Sequence, residues 1–294
     1  MFALSVDPAG CLFRNTALFH AAAQSMGCPH TPYSMAKYWH TLRPWQDSLP
    51  LWKRARRGVT PAASTQALLF GYFPYLRKLY DNPLWAVTSH ADWESEWDEL
   101  ADSIRLGGKP LDGYGGKLST LLFDRADWPC LAVHLVLLHT HADRYLFHRL
   151  WLAKNFTALF ALSSMQLPIV HIRAGLQASL TPQMLTADPV RVCNWEYCHE
   201  ICTADEDLLN LLQEWGWLQG DDQHLALLIW NFPQALQREL DVGPQKLIGK
   251  TGCGLTRPLR KKWCRKLAQW QDHPVTLNGV CCEFPRDNSS VRYP

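Results

Sequence analysis

A mainly α-helical, multi-helix globular fold is predicted by three observations. Apolar residues recur at three- and four-residue spacing over long stretches, no run alternates apolar and polar residues as a half-buried strand would, and Pro and Gly cluster between the periodic stretches. The periodic segments are 15 to 26, 64 to 80, 92 to 105, 130 to 150, 205 to 217 and 222 to 240. Breakers separate them at GCPHTP (27 to 32), LGGKPLDGYGG (106 to 116) and DVGPQ (241 to 245). Helix starts are expected at Ser89 or Asp92, ahead of WESEWDEL, and at Thr203, with Glu206 three residues later as in a capping box.

Composition narrows the class. With 294 residues, 47% of them hydrophobic and 19% charged, the chain can bury a sizeable core. The longest apolar stretch, LAVHLVLL at 131 to 138, is too short to span a bilayer, so no membrane partner is expected. Nothing at the start reads as a secretory leader, and a cytoplasmic location is expected. The ten cysteines are then read as reduced thiols or metal ligands. Fourteen tryptophans spread from Trp39 to Trp270 argue for aromatic packing throughout. A net charge of +2 gives no strong global field, so nucleic acid would have to be met by local basic patches.

Two parts are distinguished along the chain. Residues 1–242 form a helical main body containing a hairpin at 106–125, and 243–294 form a basic C-terminal appendage. In the appendage Arg257, Arg260, Lys261, Lys262, Arg265 and Lys266 are interleaved with Trp263 and Trp270. Such a stretch either tracks a phosphate backbone and stacks a base, or is a solvated helix with Leu259, Trp263 and Leu267 turned inward. A weaker basic cluster lies at Lys53, Arg54, Arg56 and Arg57.

The segment LDGYGGKLSTLLFDR at 111 to 125 has the layout of a helix, a glycine turn and a second helix starting near Gly115. Unsatisfied N–H groups at the start of that second helix would hold a phosphate without reading bases. Here Leu111, Asp112, Gly113, Tyr114, Gly115, Gly116 and Lys117 resemble the L-P-G-V-G-x-K hairpin of the helix-hairpin-helix base-excision DNA glycosylases, particularly the endonuclease III-like branch. Trp128, Pro129, Ala132 and Val133 follow at nearly the spacing of that family's Trp-Pro-x-x-Ala-Val stretch. The resemblance covers residues 111–135. It implies a DNA-binding protein of glycosylase type, acting on a flipped base as a glycosylase, lyase or base-modifying enzyme; the four-cysteine iron-sulfur spacing of endonuclease III is missing, and no cofactor is expected other than zinc.

In bifunctional members of that family the hairpin lysine forms a Schiff base with the sugar and an aspartate stabilises the developing cation. The resemblance therefore gives Lys117 the nucleophile's place. The aspartate's place falls on His134, or on His139 if several residues are inserted, with Asp143 or Asp124 as substitute carboxylates. The DNA contacts implied are Gly113, Gly115, Gly116 and Lys117, joined by the basic stretch at 257–266. A non-catalytic nucleic-acid-binding subunit and a helical protein-interaction module are the competing readings.

Two further clusters carry chemistry. His134, His141 and His148 recur every seven residues along what reads as a continuous helix, and are read as structural histidines or as a polar stripe lining a cleft. CNWEYCHEIC places Cys193, Cys198 and Cys202 within ten residues, a possible start of a zinc site, although the spacing matches no familiar knuckle.

Overall fold

The computed structural model describes residues 6–88, 96–112, 116–123, 125–186, 191–214, 261, 265, 268–270 and 272–282. Twelve α-helices and four short strands form among them. No described helix is long and apolar enough to cross a membrane.

α1 (Pro8–Ser25) begins where Asp7 caps it: the carboxylate accepts from the Gly10 N–H at 2.7 Å, and Pro8 supplies a pre-set φ at the first position. Its Phe13, Ala17, Leu18, Phe19, Ala21, Ala22 and Ala23 are buried. α2 (Pro32–Leu42) is capped by Thr31 and followed by α3 (Leu49–Arg56). Both lie in a region that sequence periodicity leaves unassigned, because each is short and Pro-flanked. They are joined through an edge-on Trp39–Trp52 contact at 5.7 Å.

α3 also lies along α1. The Phe19 and Trp52 rings meet at 6.5 Å, and the Asn15 amide donates to the Gly58 carbonyl at 2.9 Å. At Gly58 φ is +77° and an added Cβ would sit 2.2 Å from the Leu12 side chain, so only glycine permits this approach. α4 (Ala63–Tyr72), α5 (Tyr75–Tyr80), α6 (Leu84–Val87) and α7 (Trp97–Asp102) follow.

α9 (Leu131–His139) is the centre of the core, with all of 131 to 138 buried. Helix α10 (Leu146–Ser164) packs on it. The expected continuous helix over 130 to 150 is broken at Thr140, which takes extended backbone. The Asp98 carboxylate of α7 accepts the N–H groups of His141 (2.9 Å) and Ala142 (3.0 Å), satisfying donors that a helix would have used internally. The seven-residue histidine stripe therefore does not exist. His134 sits on α9, His141 in the break and His148 on α10.

The expected helix-hairpin-helix is not formed as read. Residues 103–112 contain β1 (Arg105–Leu106) and β2 (Lys109–Pro110) rather than a helix leading into the glycines; only the second helix, α8 (Lys117–Phe123), is present. β1 and β2 turn through Gly107 and Gly108, both with positive φ, the geometry of a tight two-residue hairpin. Gly113 and Gly115 lie outside the described residues.

β3 (Val275–Leu277) and β4 (Val280–Cys281) turn through Asn278 and Gly279, again both at positive φ. β3 pairs antiparallel with β1, Leu106 opposite Val275, and the sheet order is β2-β1-β3-β4. The Gly107 N–H donates to the Pro274 carbonyl and the Asn278 N–H to Ser103 Oγ, both at 2.9 Å. This end of the chain is thus hydrogen-bonded into the main body. Of the basic stretch, Lys261 and Arg265 are exposed and helical, whereas Arg257, Arg260, Lys262 and Lys266 lie outside the described residues.

α11 (Arg173–Thr186) and α12 (Cys198–Glu214) follow α10. α12 starts five residues before the expected cap at Thr203, whose hydroxyl instead donates back to the His199 carbonyl within the helix. The expected start at Ser89 or Asp92 lies outside the described residues.

Candidate metal centre

The residues expected to carry chemistry are scattered in environment. Lys117 opens α8, and Gly116, just before it, lies against Asp112. His134 is sealed in the core, with its Nε2 3.2 Å from the Leu122 carbonyl of α8; that carbonyl can only accept, so Nε2 carries the proton. Asp143 is exposed at the head of a 3-10 turn, Asp143–Tyr145, and Asp124 lies outside the described residues. His148 is also fully buried and shares a 2.8 Å hydrogen bond with Ser119, which ties α8 to α10.

His134 has a measurable consequence for stability. Burial is the main cause that drives its pKa from 6.5 down to about 4. The unfolded chain therefore takes up this proton first as pH falls. Its contribution to stability is intact above about pH 6.5 and is lost on descending towards 4, amounting to about 2 kcal/mol at pH 5. Denaturant unfolding at pH 7 and pH 5 should show this loss, and His134→Leu should make the pH slope shallower. An unchanged slope in the variant would contradict the assignment.

The cysteine cluster is brought together only in part. Cys198 and Cys202 lie one turn apart on α12, both buried, with the Ser164 hydroxyl 4.0 Å from the Cys202 sulfur. Cys193 is exposed and held elsewhere: its N–H donates to the Ala153 carbonyl at 2.7 Å and its carbonyl accepts from Thr157 at 2.8 Å, both on α10. Two thiols are too few for a closed structural zinc site.

A different set of ligands does converge. His20 comes from the penultimate turn of α1, His30 from the loop between α1 and α2, and His171 from a 3-10 turn, Ile169–His171, between α10 and α11. One nitrogen from each lies within 4.8 Å of the other two, and no other group of three His, Cys, Asp or Glu side chains comes this close among the described residues. His20 Nδ1 and His30 Nδ1 are 3.0 Å apart. The His20 and His171 rings stack at 3.9 Å, and the His30 ring meets His171 at 4.8 Å and 64°.

Local structure explains the convergence. The backbone leaves α1 through Met26 and Gly27, and the Cys28 N–H reaches back to the Ala23 carbonyl, which turns the loop carrying His30 against its own helix. The turn carrying His171 is fixed from behind by Gln166. This buried amide donates to the Ala126 carbonyl at 2.8 Å and accepts from the Trp128 N–H at 3.1 Å.

The electrostatics keep the imidazoles uncharged. Burial, then the neighbouring His171 and His30, then Arg56, lower the His20 pKa to about 4. Burial lowers His30, and burial followed by His30 lowers His171. Neutral imidazole is the form that ligates metal, and the lone pairs are available near pH 7. Tetrahedral bonds of about 2.0–2.1 Å would set the donor nitrogens roughly 3.3 Å apart. The observed 3.0 Å for one pair, with all three within 4.8 Å, is close to that spacing, while the stacked His20 and His171 rings, 18° apart, must turn for both to aim a lone pair at one ion.

His20 and His30 are half-buried and His171 is exposed, so the cluster opens to solvent on one side. Three protein nitrogens and one open position is the arrangement that suits an exchangeable ligand on the metal. Sequence reading missed the cluster because its members stand far apart in the chain and share no spacing motif. No family model, curated protein or solved structure matches this chain.

Proposed function

We propose that this chain is a metalloprotein that binds one zinc-class divalent ion at His20, His30 and His171 and keeps a coordination position for water or a substrate. The convergence of three neutral imidazoles from three separate segments is the observation that carries the reading. An all-imidazole set favours zinc, cobalt, nickel or copper over magnesium or calcium, which prefer oxygen ligands. A metal held by these three imidazoles would supply Lewis acidity and lower the pKa of water at its open position.

Titration of tag-free protein with cobalt(II) tests it. Visible absorption saturating near one equivalent and displaced by zinc supports the centre. Zinc held at about a hundred times its Kd should also stabilise the fold by about 2.7 kcal/mol. Absence of both cobalt absorption and zinc stabilisation would overturn the reading.

A second reading is the nucleic-acid binding implied by the glycosylase-like segment. The exposed Lys261 and Arg265 and the place of Lys117 at the start of α8 favour it. Duplex, single-stranded and abasic-site DNA should then bind with affinity that falls steeply with salt, and Lys117→Ala should weaken binding. No binding at low salt, or an unaffected variant, would remove that reading.

A further inference from the structure

The pair of helices α2 and α3 stands apart from the rest of the chain in charge. Residues 32–58 hold six Lys or Arg against Asp47 alone, a balance of +5. The whole chain carries only +2, so everything outside this segment, the basic stretch at 257–266 included, nets −3. In α3 the inward positions are Trp52 and Ala55, which leaves Lys53, Arg54 and, just past its end, Arg57 on the outward side. In α2 the inward positions are Met35 and Trp39, which leaves Tyr33, Lys37 and His40 outward. All six are exposed, and none of the four Lys and Arg forms an ion pair among the described residues.

The helix dipole accounts for cations in the last turn of α3. It does not account for Trp45. Of the nine tryptophans among the described residues seven are buried, whereas Trp45 is 80% exposed on the loop that joins α2 to α3. That loop is braced. The Gln46 N–H donates to the Arg43 carbonyl at 3.2 Å, the Gln46 side chain accepts from the Trp39 indole at 3.5 Å, and the Asp47 carboxylate accepts from the Leu49 N–H at 3.1 Å. Pro44 restricts the backbone immediately before the indole. A large ring is thus held in water beside four unpaired cations, with Tyr33, 72% exposed, near the far end of α2.

We infer that the α2–α3 surface binds single-stranded nucleic acid, its outward cations following the phosphodiester backbone and Trp45 stacking on a base. This goes beyond the metal reading and uses no residue of the glycosylase-like segment. Charge complementarity selects a polyanion. The exposed indole selects a strand with free base faces, because a duplex keeps its bases inside the stack. An anionic membrane fits less well: insertion needs a free apolar helix face, and those of α2 and α3 are buried in the protein.

The test uses the full chain in a metal chelator, so that occupancy of the histidine centre does not enter. A short fluorescent single strand of mixed sequence is titrated at several salt concentrations and followed by anisotropy. It is expected to bind more tightly than a duplex of the same sequence, with the logarithm of affinity falling linearly with the logarithm of salt. The triple variant Lys53→Gln, Arg54→Gln, Arg57→Gln should make that slope shallower by about 2, since each phosphate contact on a single strand contributes about 0.7. Trp45→Ala should weaken binding roughly tenfold with the slope unchanged, the scale of one lost base stack. Arg77→Gln, at a surface arginine paired with Asp81, is the control that alters neither.

No binding at low salt would overturn the inference whatever the histidine centre does with metal. Binding weakened by Lys117→Ala but intact in the triple variant would assign the nucleic acid to the glycosylase-like segment and overturn it as well. So would equal affinity for poly-glutamate or for vesicles of anionic lipid, which would make the surface a general anion or lipid site. An unaffected Trp45→Ala would overturn the role given to Trp45.

Discussion

His20→Ala is expected to lower the affinity for zinc or cobalt more than about a hundredfold. Disturbing residues that merely support a metal ligand costs roughly 10–100-fold, so deleting a ligand outright should exceed that range. His20 is the central member: it hydrogen-bonds His30 and stacks on His171, so its loss leaves two imidazoles and no tetrahedral site. The substitution is mild for the fold. The position is half-buried on a helix, alanine is the best helix former, and the ring it removes is uncharged at neutral pH. Far-ultraviolet dichroism should therefore be retained while cobalt absorption is lost. His141→Ala, which removes an exposed histidine from the break between α9 and α10, should bind cobalt normally. Equal affinity in His20→Ala and the unsubstituted protein would place the metal elsewhere.

Asp127→Ala is expected to destabilise the fold by about 3–5 kcal/mol, the scale for stranding one member of a buried ion pair. Asp127 Oδ2 accepts from Arg125 Nη2 at 2.8 Å and Nε at 3.1 Å, with the two side chains 7% and 5% exposed. The Arg125 guanidinium also lies over the Trp270 ring at 5.6 Å, so the pair links the segment leading into α9 to the helical residues ahead of β3. Without the carboxylate the guanidinium has no charge partner and cannot reach water. Replacing both residues by apolar ones of similar size, Arg125→Met with Asp127→Leu, should recover most of the loss. Denaturant midpoints of the three proteins decide the matter. A single variant within about 1 kcal/mol of the parent would show that solvent reaches the guanidinium after all.

The helical class was legible because α1, α9, α10 and α12 each repeat an apolar face or bury a whole apolar run, and that pattern is local. The break at Thr140 was not, since it depends on an acceptor forty-odd residues away at Asp98. The sheet escaped for a different reason: strands of two or three residues carry no readable period. Its Asn278–Gly279 turn is nonetheless a strong hairpin signal and would have been a fair place to look. At the candidate site, locality again decides. Cys198 and Cys202 met because four residues make a helical turn, whereas His171 reaches His20 only through the packing of α1 against the turn after α10.

The strand β3 also bears on how the chain is made. Asn278 meets Ser103 across 175 residues, so during synthesis β1 must wait for most of the protein to emerge before its second neighbour exists. Until then its outer edge is a row of unpaired amides and carbonyls beside the buried Leu106, the kind of edge that recruits strands from other molecules. Closing so long a loop adds little entropy beyond closing one half its length. The burden falls on timing: a nascent chain stalled ahead of Val275 would carry a finished helical core and an open seam.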